Sequence, residues 1–175
     1  NRERELAQQK QRLEQVLPEL ESLRNPLAAQ PRVRFYQGFE GLKEIYDDML
    51  RVPESEILAL VDLQYAWTDS REEGHEFVRS FIRRREDRNI VWRGICVASE
   101  ESDRQVRARP AKLRQMKMIQ GVNCPAEVAV YSNKVAFTST HSELVGVLIE
   151  NEPIAKTITA VLEKLWSILP DYNPE

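Results

Sequence analysis

Two histidines, His75 and His141, and two cysteines, Cys96 and Cys124, are the side chains best suited to nucleophilic or metal chemistry. Neither pair has metal-ligand spacing: Cys96 sits inside an apolar run and Cys124 lies beside Pro125. Two reduced thiols in a cytoplasmic protein is the plain reading. The chain has no Gly-rich phosphate loop and no Gly-x-Ser-x-Gly elbow, and no pair of carboxylates is singled out by spacing. Catalytic residues, metal ligands and cofactors are therefore all expected to be absent.

Binding chemistry is better represented. In open sheets, ligands sit beyond the carboxyl ends of strands. Those ends here carry Tyr36, Gln37 and Gly38, then Asp62 followed by Tyr65 and Trp67, then Ser99 and Glu100, with the polar loop Thr138–Glu143 expected to approach them. Aromatic rings offer flat contact area to a sugar or a ring, and Asp or His fixes hydroxyls by hydrogen bonds. Tyr36, Gly38, Asp62, Tyr65, Trp67, Arg93 and His141 form the candidate ligand set. Arg93 interrupts an apolar strand and must find a partner, because burying it unpaired is costly; a structural ion pair is the competing role. Packing is the competing role for Tyr65 and Trp67, and solvation for His141. Two basic runs stand out. Arg79, Arg83, Arg84, Arg85 and Arg88 are interleaved with Glu86 and Asp87, as on a solvated helix face. Arg104–Lys117 holds six cations and no acid, broken by Pro110. That run suits phosphate of a ligand or of DNA, although a solvated surface is the simpler account.

The elements that must position these groups follow from periodicity. Val33–Tyr36 reads as a strand, with a helix from Phe39 to about Arg51 that turns Phe39, Leu42, Ile45, Tyr46, Met49 and Leu50 inward. Glu56–Asp62 is a second, buried strand. Ser70 with Glu73 fits a capping box for a helix burying Phe77, Val78, Phe81 and Ile82. Ile90–Ala98 is a third strand. Glu127–Ser132 and Val135–Ser139 read as a hairpin turning at Asn133-Lys134. Leu144–Ile149 is apolar without a break, as in a strand covered on both faces. Pro153 opens a closing helix whose inward face is Ile154, Ile158, Val161, Leu162, Leu165, Trp166 and Leu169, and Pro170 stops it. Strand and helix alternate at a spacing that predicts an α/β fold: a mainly parallel sheet flanked by helices.

Ahead of this domain, Leu6, Leu13 and Leu20 recur every seven residues with Leu17 on the same side. They predict a dimerisation helix of coiled-coil type over Arg4–Leu23, kinked at Pro18, with Arg24–Pro31 as linker, so that residues 1–30 form a dimerisation and linker segment ahead of the main domain over 31–170. The competing arrangement folds this helix back on its own domain.

Two stretches resemble a known family. YSNKVAFTSTHSELVGVLIENEPIAKTITAVLEKLW is similar to the end of the effector domain of TrmB-type transcriptional regulators, and PRVRFYQGFEGLKEIYDDML to its first strand and helix. The resemblance implies a phospholipase D-like fold. It does not carry over catalysis. Phospholipase D enzymes need a His and a Lys two residues apart; neither His75 nor His141 is followed so, and the matching hairpin offers Glu127-Val128-Ala129. What the resemblance implies is a homodimeric effector-sensing domain, not an enzyme. It would relay a sugar or a phosphorylated metabolite to an N-terminal winged helix-turn-helix that reads DNA. The opening NRERELAQQK, without an initiator Met, suits a fragment of such a protein.

Bulk properties bound the reading. A net charge of −3 gives this piece no general attraction to nucleic acid. No apolar run reaches the ~18 residues needed to span a bilayer, and no signal peptide is visible, so a cytoplasmic protein with no membrane partner is expected. Two rival functions remain: a dimerisation module with no ligand, and a diverged phosphodiesterase.

Overall fold

The computed structural model describes residues 31–67, 71–108 and 112–172. The expected dimerisation residues Leu6, Leu13, Leu17 and Leu20, and the capping residue Ser70, lie outside them. In chain order the described elements are β1 (Arg32–Gln37), α1 (Gly38–Met49), β2 (Glu56–Val61), α2 (Arg71–Asp87), β3 (Val91–Val97), α3 (Glu100–Ala108) and β4 (Arg114–Ile119). The hairpin β5 (Glu127–Tyr131) and β6 (Lys134–Ser139), the strand β7 (Val145–Glu150) and the helix α4 (Glu152–Ile168) complete them. All the strands join one sheet, in the order β1-β7-β6-β5-β2-β3-β4.

That order corrects the expected mainly parallel sheet. Only β2–β3 and β3–β4 pair in parallel. The pairs β1–β7, β7–β6, β6–β5 and β5–β2 are all antiparallel. Strand-helix-strand spacing does mark the crossovers β2-α2-β3 and β3-α3-β4. It carries no information about β1, which docks on the distant β7, with the β5-β6-β7 meander filling the space between β1 and β2. One position from the edge, β7 is not covered on both faces: Gly146 and Leu148 are buried, while Val145 is 38% exposed.

The sheet has two differently dressed faces. On one, Ala59, Ala129 and Ala136 stand in register across β2, β5 and β6, with Leu148 next on β7. This low row lets Leu42, Ile45, Tyr46 and Met49 of α1 seat in a buried cluster against the sheet. On the other, Ala155 and Leu162 of α4 pack with Leu58, Ile95, Val130 and Val135. At about 25 cal/mol per Å² of apolar area removed from water, these two layers hold the sheet between them. Asn151 caps α4, its Oδ1 accepting the Ile154 N–H at 3.1 Å, and the Pro153 ring sits where no helical N–H is needed. Ile154 and Val161, expected to face inward, are 37% and 54% exposed; Ala155 takes the inward place instead.

The hairpin turn sits one residue earlier than the sequence suggests. Tyr131 pairs with Lys134, so Ser132 and Asn133 form the loop, and Ser132 takes the positive φ of 50°. This register brings Lys134 into β6, where its Nζ lies 2.6 Å from Asp48 Oδ2. Tyr131 Oη donates to the same oxygen at 2.9 Å, and Arg51 lies 3.0 Å from Oδ1. Burial alone would raise the Asp48 carboxyl, but the bonds from Lys134 and Tyr131 and the Arg51 charge outweigh it and hold the group below its usual range.

Candidate ligand cavity

The parallel end of the sheet is roofed less tightly than the rest. Between α2, α3 and the strands β2–β4 lies a cavity of about 1080 Å³. Its deep end is set by Tyr46 and Phe81, by Trp67 at the close of the β2–α2 loop, and by Glu127 at the start of β5. Its floor is the face of β3 and β4 on which Trp92, Gly94, Arg114 and Met116 alternate. A Cβ on Gly94 would lie 2.0–2.6 Å from three atoms of the six-membered ring of Trp92, well inside van der Waals contact. Glycine at this position is thus what allows the indole to lie along the strand.

Charge is unevenly spread in the cavity: a carboxyl paired with a phenol lies at one end and cations gather at the other. Glu127 is half-buried; Tyr46 Oη donates to its Oε2 at 2.6 Å and Thr138 Oγ1 at 3.4 Å. Burial raises the Glu127 carboxyl above its usual range, against the opposing effect of these two donors. Burial, joined by the Glu127 charge, raises the Tyr46 phenol as well. Oε1 takes no part in either bond and is left to the cavity. At the mouth, Arg79 and Arg83 of α2, Arg104 of α3, and Lys112 and Arg114 supply cations. Glu101 pairs with Arg104. Arg85, expected on a solvated face, is 3% exposed and donates to the Leu113 carbonyl at 2.8 Å, fixing α2 to the approach of β4. Burial lowers its pKa.

The sequence-predicted ligand residues fall into three places. Of that set, Trp67 alone lines the cavity. It is mostly a core residue: 2% exposed, at φ 59°, with Phe39, Tyr46 and Phe77 rings around it at centroid distances of 5.4–5.6 Å. Its backbone N–H donates to Thr140 Oγ1 at 3.0 Å, and that hydroxyl donates to the Tyr65 carbonyl at 3.2 Å. Tyr65 in turn packs on His141, ring to ring at 5.2 Å. Asp62 Oδ1 accepts the Gln64 N–H at 3.0 Å, shaping the loop. Gly38 reaches the same loop cluster through its N–H, which donates to the Leu144 carbonyl at 2.7 Å from a φ of 74°, whereas Tyr36 is half-buried and packs on the core beneath α1. Arg93 is elsewhere. It faces α4, bonded to Glu163 at 2.7 and 3.0 Å and to Glu56 at 3.1 Å, with its guanidinium 4.5 Å from the centroid of Trp166.

Sequence reasoning missed Trp92, Glu127 and α3. The Trp92–Gly94 pair carried a legible signal, since a glycine two residues from a tryptophan on one strand face makes room for an indole. From the sequence, Glu127 reads only as the first residue of a hairpin strand, at the place where the phospholipase D His-x-Lys pair is missing. The helix α3 was hidden inside a charged stretch interrupted by Pro110.

No family model and no curated protein matches the chain. Solved structures do. TrmBL2, described as an archaeal chromatin protein with a novel mode of DNA binding, aligns at a TM-score of 0.57 and 14% identity, over 98% of this chain. NucT from Helicobacter pylori aligns at 0.56 and 8%, over 82% of this chain and 100% of its own. Nuc from Salmonella typhimurium, a phospholipase D family member, aligns at 0.53 and 12%, over 82% and 99%. The fold is phospholipase D-like. The chain spans 66% of the length of TrmBL2. Within this phospholipase D-like scaffold, β5 opens with Glu127, Val128 and Ala129, and the described residues hold no cluster of three or more side chains suited to a metal ion. No described helix is long and apolar enough to cross a membrane.

Proposed function

We propose that this chain is the effector-binding and dimerisation part of a TrmB-like transcriptional regulator, acting by binding rather than catalysis. The observation that carries the reading is the cavity beneath α2 and α3. It has the size of a small-molecule site, with an aromatic residue, Trp92, on its floor and charged side chains around it. Its deep carboxyl, on Glu127, is bonded to a tyrosine and a threonine hydroxyl rather than to a histidine. Such a group is suited to hold a ligand; His75 lines the same cavity and is not bonded to it. The likeness to TrmBL2 supports a setting in which DNA is bound elsewhere in a longer protein. Ligand binding under α2 would shift the dimer, and an N-terminal winged helix-turn-helix would feel that shift.

Linkage supplies the test. In the full-length regulator, ligand and operator DNA must alter each other's affinity by the same factor. Equal ligand affinity with and without DNA would end the sensor reading.

A second reading, dimerisation without a ligand, draws on a different surface. Phe35, Val147 and Phe137 stand side by side across β1, β7 and β6 on the face that α4 leaves open, beside Val33 and Val145. Phe35 is 79% exposed. Contiguous apolar patches of this kind mark interaction surfaces. Phe35→Glu, followed by light scattering after size exclusion, is expected to yield monomer if that face joins two copies; an unchanged mass would remove the face from the account.

A further inference from the structure

The cavity holds two features that ordinary packing does not require, and together they name a ligand class. The first is a flat platform. Trp92 is half-buried, its indole laid along β3 over Gly94, with Met116 in register on β4. A ring with its own π-face stacks on such a surface, typically for about 1–3 kcal/mol. The second is a charge imbalance. Six basic side chains line the cavity against three carboxyls, and burial biases one of these, Glu127, towards its neutral form. The chain as a whole carries −3, so the excess of cations is local. Arginine and lysine gathered from α2, α3 and the approach to β4 converge on one mouth, as phosphate recognition requires.

We infer that the cavity is a mononucleotide site: the base lies on the Trp92 indole, and the phosphate is held at the mouth by Arg79, Arg83, Arg104, Lys112 and Arg114. At the deep end, Glu127 meets the heterocycle through Oε1, while Tyr46 and Thr138 hold Oε2. A neutral sugar would give these cations no phosphate to hold. A sugar phosphate would leave the indole without a ring of its own kind. This inference rests on the proposed sensor role and specifies its ligand.

The experiment titrates the 175-residue chain with AMP, GMP, CMP and UMP, following tryptophan emission and thermal melting, with adenosine and ribose 5-phosphate as half-ligands. At least one mononucleotide is expected to quench emission and raise Tm at low millimolar concentration, more weakly as salt increases. Trp92→Leu is expected to weaken it tenfold or more. Arg83→Gln lies on the exposed rim and leaves the core alone; it is expected to weaken the nucleotide severalfold and leave adenosine unchanged. Should Trp92→Leu fail to fold, Arg83→Gln and Arg79→Gln still decide the phosphate contact, and Gly94→Ala, which displaces the indole without removing it, decides the platform. No response to any of the four nucleotides overturns the inference. So does ribose 5-phosphate binding as tightly as the nucleotides, or nucleotide binding indifferent to the rim variants. If sugars or amino acids raise Tm where nucleotides do not, the sensor reading stands and the nucleotide inference falls. If no small molecule does, both fall.

Discussion

The two ends of the sheet are built to different densities. At the antiparallel end, α1 sits down on a row of alanines and buries Leu42, Ile45 and Leu148 completely. At the parallel end, α2 and α3 span a cavity of about 1080 Å³ over Trp92, Gly94 and Met116. Both ends belong to one sheet and use similar helices, so topology alone does not explain the contrast. Side-chain size does. Small residues beneath α1 allow close approach, whereas beneath α2 the space is bridged by the ring cluster of Trp67, Phe77 and Phe81 at one end and by Arg85 at the other. A close-packed end carries stability and a hollow end is free to bind.

Substitutions break or sharpen this contrast in a definite order. Leu148→Ala, at the packed end, should cost about 2–5 kcal/mol in denaturant unfolding, because the surrounding layer has no room to collapse. Asp48→Ala is next: it leaves the half-buried Lys134 ammonium and the buried Tyr131 hydroxyl without their partner and should cost about 2–3 kcal/mol. Trp92→Leu, at the hollow end, is expected to cost clearly less than Leu148→Ala despite the larger side chain, since the half-buried indole borders the cavity. A loss equal to that of Leu148→Ala would mean that the cavity is effectively closed in solution. Smallest is Asn151→Ala, at about 1 kcal/mol, from the lost cap of α4.

The two ends also differ in the sign of their pH response. Asp48 is held below its ordinary pKa, so its stabilising contribution is present above the unfolded value and disappears as pH falls through the folded one. Glu127 is raised, so the folded state binds its proton more tightly. Stability from this group is present at acid pH and is lost as pH rises from the unfolded value through the folded one. Glu127→Gln should therefore flatten the stability profile across the mildly acid range and match wild type at low pH. An unchanged profile would show that Glu127 ionises freely inside the cavity.

Much of the fold was legible because local patterns settle local structure. Alternation located β5 and β6, continuous apolar runs located β2 and β3, and Pro153 with Pro170 bracketed α4. Long-range pairing was not legible. Nothing in RVRFYQ says that β1 will lie antiparallel to VGVLIE, more than a hundred residues later. The run Arg104–Lys117 misled for a related reason: counted as charge it reads as surface, but on β4 alternate residues face opposite sides. Arg114 joins the cavity, while Lys117 bonds the Trp166 and Leu169 carbonyls at 3.1 and 2.8 Å and closes the end of α4. The aromatic loop drew attention for its composition, yet Trp67 serves the core, and the ring better placed to meet a ligand is Trp92, inside a strand.

The account stands on the hollow end being a ligand site. The direct measurement is a thermal-shift screen of the chain against sugars, sugar phosphates, nucleotides and amino acids, run in parallel on wild type and Trp92→Leu. A ligand at a hundredfold its Kd adds about 2.7 kcal/mol, a shift of several degrees for a domain of this size. Hits with wild type are expected whose shifts shrink with Trp92→Leu, in step with a tenfold or greater loss of affinity. A flat wild-type screen, or hits that Trp92→Leu leaves untouched, would contradict this expectation.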